Sequence, residues 1–212
     1  MKRKIILISI LWVVCFQAFS QQLVFETGKA ITSFDYENSL GNQLDNLQST
    51  NQSYMYLGYR TNIFKDFAHA SLGVNYSTYG AKGSDNVVNN YFGWETSYLG
   101  FNLGLDIRLF KIKKFNFYIK STVSSEFIIQ GTQTLNNTVY DLVGEDDFDQ
   151  TNYFFRAGAF VEYPISQNMN LFIQYMGGKS KQLRDSVSNL DQEKLRLVSH
   201  NFGFGVLINL KL

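Results

Sequence analysis

The sequence has 212 residues, 17% of them charged and 16% aromatic, with 16 glycines, a single proline and a formal net charge of +1. The length suits one domain, the aromatic and strand-forming content excludes a disordered chain, and the near-zero charge offers a nucleic acid nothing to hold.

Residues 1–20 differ from the rest. Lys2, Arg3 and Lys4 precede the apolar run 5–16, and Ala18, Phe19 and Ser20 precede Gln21. This is the order of a secretory signal peptide, and the run is too short for a membrane helix. Trp12, Val13 and Val14 lack the small residues that a lipid-attached Cys15 requires. Cleavage after Ser20 leaves residues 21–212 with no cysteine and 16 basic against 18 acidic residues, a net charge of −2.

The mature segment alternates. A first strand is predicted from Leu23 to about Phe34, but Phe25 and Ile31 share a parity with Lys29, so its inner face is left unassigned. A long polar loop covers 35–52. The second strand, 53–64, sets Met55, Leu57, Tyr59 and Ile63 against Gly58, Arg60 and Asn62. A tight turn at Lys65 and Asp66 leads to the third strand, 67–79, with Leu72, Val74 and Tyr76 opposed to His69, Ser71, Gly73 and Asn75. A second long loop is predicted over 80–90. The fourth and fifth strands form a hairpin about the basic turn 111–114. In it, Leu99, Phe101, Leu103, Leu105, Ile107 and Leu109 oppose Gly100, Asn102, Gly104, Asp106 and Arg108. Beyond the turn, Phe117, Ile119, Val123 and Phe127 oppose Tyr118, Lys120, Thr122, Ser124 and Glu126. A third long loop, 131–151, is acidic. The sixth strand, 153–163, carries Arg156 and Glu162 on its polar parity, the seventh runs from Met169 to about Gly178, a fourth long loop covers 179–194, and the eighth strand closes the chain.

Successive strand residues face opposite sides, so each strand has one apolar and one small, polar or charged face. Eight such strands, with three short turns and four long loops alternating, predict an all-β, eight-stranded antiparallel up-and-down transmembrane β-barrel, its long loops outside and its short turns periplasmic. It must close, because lipid leaves no partner for a free sheet edge. A water-soluble barrel with an apolar interior is the rival. The sharing of one parity by glycine and charge, the unbroken apolar parity of the fourth and eighth strands, and the apolar final strand favour the membrane.

The end of the leader at Ala18–Gln21, the repeated glycine-polar parity, the 98–109 segment and the closing Phe202, Gly203, Phe204, Gly205 and Val206 resemble the small outer-membrane β-barrel proteins of the PorT-like and outer-membrane-protein-A-like kind. The resemblance spans the mature chain and carries no catalytic motif. It implies insertion into the outer membrane of a Gram-negative bacterium by the barrel-assembly machinery, which reads the last strand. Leu212 stands where an aromatic is usual, and no peptidoglycan-binding domain is expected after the barrel. A part in a secretion or assembly machinery is implied as an alternative function.

Arg60, Asp106, Arg108, Lys120, Glu126, Arg156 and Glu162 occupy the polar parity. In a narrow lumen, charges are tolerable only when paired, so Arg60, Arg108, Lys120 and Arg156 are expected to pair with Asp106, Glu126 and Glu162. This predicts a lumen plugged by charge rather than an ion path. His69, with Ser71 two residues on, and His200 invite an enzymatic reading. Ser199 faces away from His200, and no acid completes a triad, so no catalytic residue is assigned. Glu145, Asp146, Asp147 and Asp149 lack the spacing of a calcium loop. No metal or cofactor is expected. Lys179, Lys181, Arg184, Lys194 and Arg196 give the fourth loop a basic bias suited to that acidic loop or to lipopolysaccharide phosphates. The expected protein is a monomeric, non-enzymatic barrel acting through its long loops in surface interaction, adhesion or envelope integrity, with a surface or periplasmic protein as partner.

Overall fold

The computed structural model describes residues 21–37, 46–85, 90–144, 151–182 and 194–210. The segment 1–20 expected to be a leader, the acidic residues Glu145, Asp146, Asp147 and Asp149, Arg184 and Leu212 lie outside the described residues. Among the described residues there are nine strands: β1 (Gln21–Glu37), β2 (Gln48–Phe64), β3 (Ala68–Asp85), β4 (Asn90–Ile112), β5 (Phe115–Leu135), β6 (Thr138–Asp141), β7 (Asn152–Pro164), β8 (Met169–Gln182) and β9 (Lys194–Leu210). Every pairing between them is antiparallel, and each strand of the wall lies beside its sequence neighbour. The β1–β9 pairing closes the ring, from Gln21 opposite Leu210 to Glu37 opposite Lys194. Eight strands therefore make the barrel. The short β6 only extends β5, folding back at Asn136 and Asn137, both at positive φ, as the tightest hairpin turns require.

The faces decide between the two barrels that alternation permits. Leu57, Leu72, Phe101, Leu103, Phe155, Ile173, Phe202 and Phe204 are all exposed on the outside, with Phe101 at 62% and Ile173 at 66%. Arg60, Asp106, Lys120, Glu126, Arg156 and Glu162 are buried inside. An apolar outside around a charged inside is stable in hydrocarbon and unstable in water, so the chain is a transmembrane β-barrel. Aromatic rings mark the belt's edges. Phe110 stacks on Phe117, and Phe115 packs on Tyr163, beside the short turns. Tyr76 donates to Ser97 Oγ at 3.1 Å, and Tyr175 lies 2.8 Å from His200 Nδ1, toward the other end.

Four predicted loops shrink. The loop expected over 35–52 loses its ends to β1, which runs to Glu37, and to β2, which begins at Gln48. The loop expected over 80–90 is largely strand: β3 and β4 stay paired out to Asp85 and Asn90, and only 86–89 connect them. The loop expected over 131–151 holds the end of β5 and all of β6. The segment expected as loop from 179 begins as the last turn-distal part of β8, which runs to Gln182. Outside the membrane neither face has to be apolar, so these stretches keep strand geometry while losing the alternation that reveals it. The short connections 65–67, 113–114 and 165–168 stand at the opposite end, with Lys65 and Lys113 at positive φ.

β1 also gains its missing assignment. Val24, Glu26, Ala30, Thr32 and Phe34 are buried inside, whereas Leu23, Phe25, Lys29 and Ile31 are exposed on the outer face. Lys29 is a lipid-side residue, and its sharing a parity with Phe25 is what blurred the pattern.

Candidate functional site

The lumen is filled in layers. Nearest the short turns, the Arg60 guanidinium donates from Nε to Asp106 Oδ2 at 2.7 Å and from Nη1 to Gln22 Oε1 at 2.8 Å, with Glu162 Oε2 at 3.5 Å. Asn170 Nδ2 donates to the other Glu162 oxygen at 2.6 Å. Above this, Val24, Tyr56, Tyr118, Phe160, Phe172 and Leu207 form an apolar cluster, and Arg60 lies over the Tyr118 ring at 4.9 Å. The next layer centres on Lys120, which donates to Gln174 Oε1 at 3.2 Å and sits 3.5 Å from Glu26 Oε2. Gln174 in turn donates to Glu26.

The fourth layer is the densest. Arg156 donates to Glu126 Oε1 at 2.9 Å, to Ser124 Oγ at 2.8 Å and to the Tyr79 hydroxyl. Glu126 also accepts from Tyr79 at 2.5 Å, Ser124 at 2.6 Å and Asn75 at 3.0 Å. The guanidinium lies 3.8 Å from the centre of the Phe154 ring, so its face is covered as well as its edge. Phe34, Tyr79, Ala81, Tyr98, Ile128, Leu142, Phe154 and Leu197 close the lumen at the loop end as a second apolar cluster. Between the two clusters remains a cavity of about 40 Å³ lined by Glu26, Lys120, Asn75, Asn201 and Arg156, room for about two or three waters.

Glycine makes room for these layers. Gly28 faces Gly203 across β1 and β9, and the Tyr54 ring lies over both. Gly58 faces Gly73 across β2 and β3 with the Tyr56 ring over them. A side chain at either pair would stand where a tyrosine ring lies.

Of the residues singled out from sequence, Arg60, Asp106, Lys120, Glu126, Arg156 and Glu162 all face inward and are buried. Two details of the expected pairing need correction. Lys120 has Glu26 as its partner, from the strand whose face could not be assigned. Arg108 is only half-buried near the short turns and makes no ion pair among the described residues: Asp106 and Glu162 are turned toward Arg60, and Glu126 toward Arg156. Asn75 and Gln174 lie on the inward polar parity as expected but were not counted in the network, and sequence reasoning missed Tyr79 and the inward rings Phe154 and Phe160. The plug is as much aromatic as ionic. For Glu26 a signal existed: it shares its parity with Gly28, as charge and glycine do in the other strands.

His69 is buried in the lumen, edge-on to Tyr118 at 5.8 Å, and its Nδ1 and the Ser71 hydroxyl have no hydrogen-bond partner among the described residues. Asp106 is engaged by Arg60. Serine, histidine and acid are thus not linked as a triad needs. His200 is outside, on Tyr175, and Ser199 is fully buried inside. Among the described residues no cluster of His, Cys, Asp and Glu could hold a metal ion.

Fold and lumen together define the class: a transmembrane β-barrel whose interior is occupied by its own side chains. No family model and no curated protein matches the sequence. Among solved structures the chain is similar to neisserial surface protein A (13% identity, 88% of this chain and 97% of that one, TM-score 0.47) and to the outer membrane protein OprG of Pseudomonas aeruginosa (13%, 92% and 99%, 0.47). It is also similar to Ail, the attachment invasion locus protein of Yersinia pestis, in complex with the heparin analogue sucrose octasulfate (13%, 90% and 99%, 0.45).

Proposed function

We propose that the protein is a non-enzymatic barrel of the outer membrane of a Gram-negative bacterium, exported by the leader 1–20, that holds an interaction surface above the membrane and conducts nothing. The observation that carries this reading is the mismatch between strand length and membrane. β4 has 23 residues, which at ~3.3 Å per residue and a tilt of ~40° spans about 58 Å along the barrel axis, against an apolar belt of ~25 Å. The belt begins at the short turns, where Phe64, Phe67, Ile112 and Phe115 are exposed, so the excess projects from the loop end alone. At its tip Tyr91, Val139, Tyr140 and Val143 are exposed together on β4, β6 and the residues after it. Exposed apolar side chains held on a rigid scaffold suit contact with another surface.

Orientation is tested with thiols, since the mature chain has none. A Val139→Cys variant is expected to react with a membrane-impermeant maleimide on intact cells, and a Lys113→Cys variant only after the outer membrane is permeabilised. Equal labelling of both on intact cells rejects the reading. In planar bilayers the wild-type barrel is expected to give no steady conductance, because both apolar clusters cross the lumen. A stable open level would show that the layers part.

A further inference from the structure

The outer face of the barrel is not uniform where it leaves the apolar belt. On β8, β9 and β1, which are neighbours, Lys179, Lys181, Arg196, His200 and Lys29 are all exposed on the outward side. The register brings them together. Arg196 is opposite Asp35, and His200 is opposite Ile31, two residues from Lys29. Lys179 is opposite Val198, between Arg196 and His200. Asp35 is 4.0 Å from Lys179, both well exposed, and Glu37 stands opposite Lys194 two residues further up β1. Lys29, Lys181 and Arg196 have no carboxylate partner among the described residues. On the opposite wall, above the belt, the described side chains of β3 and β4 include one exposed charge of each sign, Lys82 and Glu95, and Lys111 of β4 lies at the turn end.

Height fixes what this patch meets. Lys29 is eight residues from the turn-end start of β1, and Lys179 and His200 are ten from theirs on β8 and β9. At the rise and tilt used above these are about 20 Å and about 25 Å up, the top of a belt of ~25 Å. Arg196 is fourteen residues up, about 35 Å. A cation facing lipid is costly unless it reaches the interface and finds an anion there. Phe202 and Ile31 stand at the level of Lys29 and His200, and directly below are Phe25, Phe204 and Ile173, all exposed to hydrocarbon.

We propose that this face binds a phosphorylated glycolipid of the surrounding leaflet, of the diphosphoryl lipid A class. One phosphate lies at the level of Lys29, Lys179 and His200, the other higher toward Arg196 and Lys181, and the acyl chains run down the apolar wall beneath. Lys29 separates a lipid from a soluble anion: flanked by Phe25 and Ile31 on its own strand, it is reached by a headgroup already anchored in the leaflet. The inference rests on the membrane orientation given above.

The test uses the full mature barrel in phosphatidylcholine nanodiscs, with retention of diphosphoryl lipid A read by native mass spectrometry. Wild type is expected to retain it, and the Lys29→Gln, Lys179→Gln, Arg196→Gln triple variant to retain it at least about tenfold more weakly. A control triple at the other end, Lys111→Gln, Lys113→Gln, Lys114→Gln, is expected to bind as wild type. Millimolar inorganic phosphate is expected to leave the lipid in place. Equal retention by wild type and the first triple, an equal loss in the control, or displacement by inorganic phosphate each overturns the proposal. Heat-modifiable gel mobility of every variant reads barrel closure separately, so a barrel that forms but ignores lipid A condemns the site alone, whereas thiol labelling condemns the orientation.

Discussion

Replacing Glu126 with alanine is expected to cost about 3–5 kcal/mol of barrel stability, measured by urea unfolding from phospholipid vesicles with Trp94 as reporter. Glu126 is wholly buried and accepts hydrogen bonds from Arg156, Tyr79, Ser124 and Asn75. Its removal leaves Arg156, a residue only 7% exposed, with no carboxylate partner among the described residues. The penalty belongs to the stranded cation more than to the lost attraction, because desolvating a paired charge roughly cancels what pairing returns. That distinction has its own signature. The double variant Glu126→Leu, Arg156→Met removes both charges and keeps apolar volume beside Phe154, so it is expected to recover most of the loss. A double variant as unstable as Glu126→Ala would mean that the layer is held by the pair's attraction and not merely by the absence of an orphan.

Turning one belt residue polar is expected to cost nearly as much with no partner lost at all. Phe204 is 62% exposed on β9, six residues from its turn-end terminus at Leu210, hence about 15 Å up and close to the middle of the apolar belt. Phe204→Arg should destabilise the barrel by about 2–4 kcal/mol in vesicles, since an arginine at mid-bilayer must snorkel or drag water inward. In a detergent micelle, which deforms more readily, the penalty should shrink. If Phe204→Arg instead stabilised the folded chain, the outward face would be meeting water and the sidedness of the entire barrel would be inverted.

The two variants probe opposite faces of the same wall, and the faces were unequally legible. Leu99 to Leu109 and Val198 to Leu210 announce their outward side because hydrocarbon rejects polar groups at nearly every position. The inward side accepts glycine, tyrosine, serine or charge according to what stands across the axis, so no rule of composition identifies its members. β1 shows the weakness: Lys29 at the upper edge of the belt puts a cation on the lipid parity, and the pattern then hides Glu26 on the other. The extension of β3 and β4 to Asp85 and Asn90 was hidden for a related reason. Above the bilayer neither face is constrained, and a paired strand of glycine, serine and asparagine reads like a loop.

From its residue order alone this chain declared eight alternating strands, their closure into a barrel and the set of charges that must leave the hydrocarbon, because solvent chemistry imposes a period of two on every membrane strand. Who meets whom inside was decided only in three dimensions. Lys120 and Glu26 are 94 residues apart, and Arg60 and Glu162 are 102 apart. Their meeting follows from the stagger with which β1 seals against β9, which sets the height of each inward side chain. The same stagger, acting on the outer face, gathers Lys29, Lys179 and Arg196 from three strands into one cationic patch.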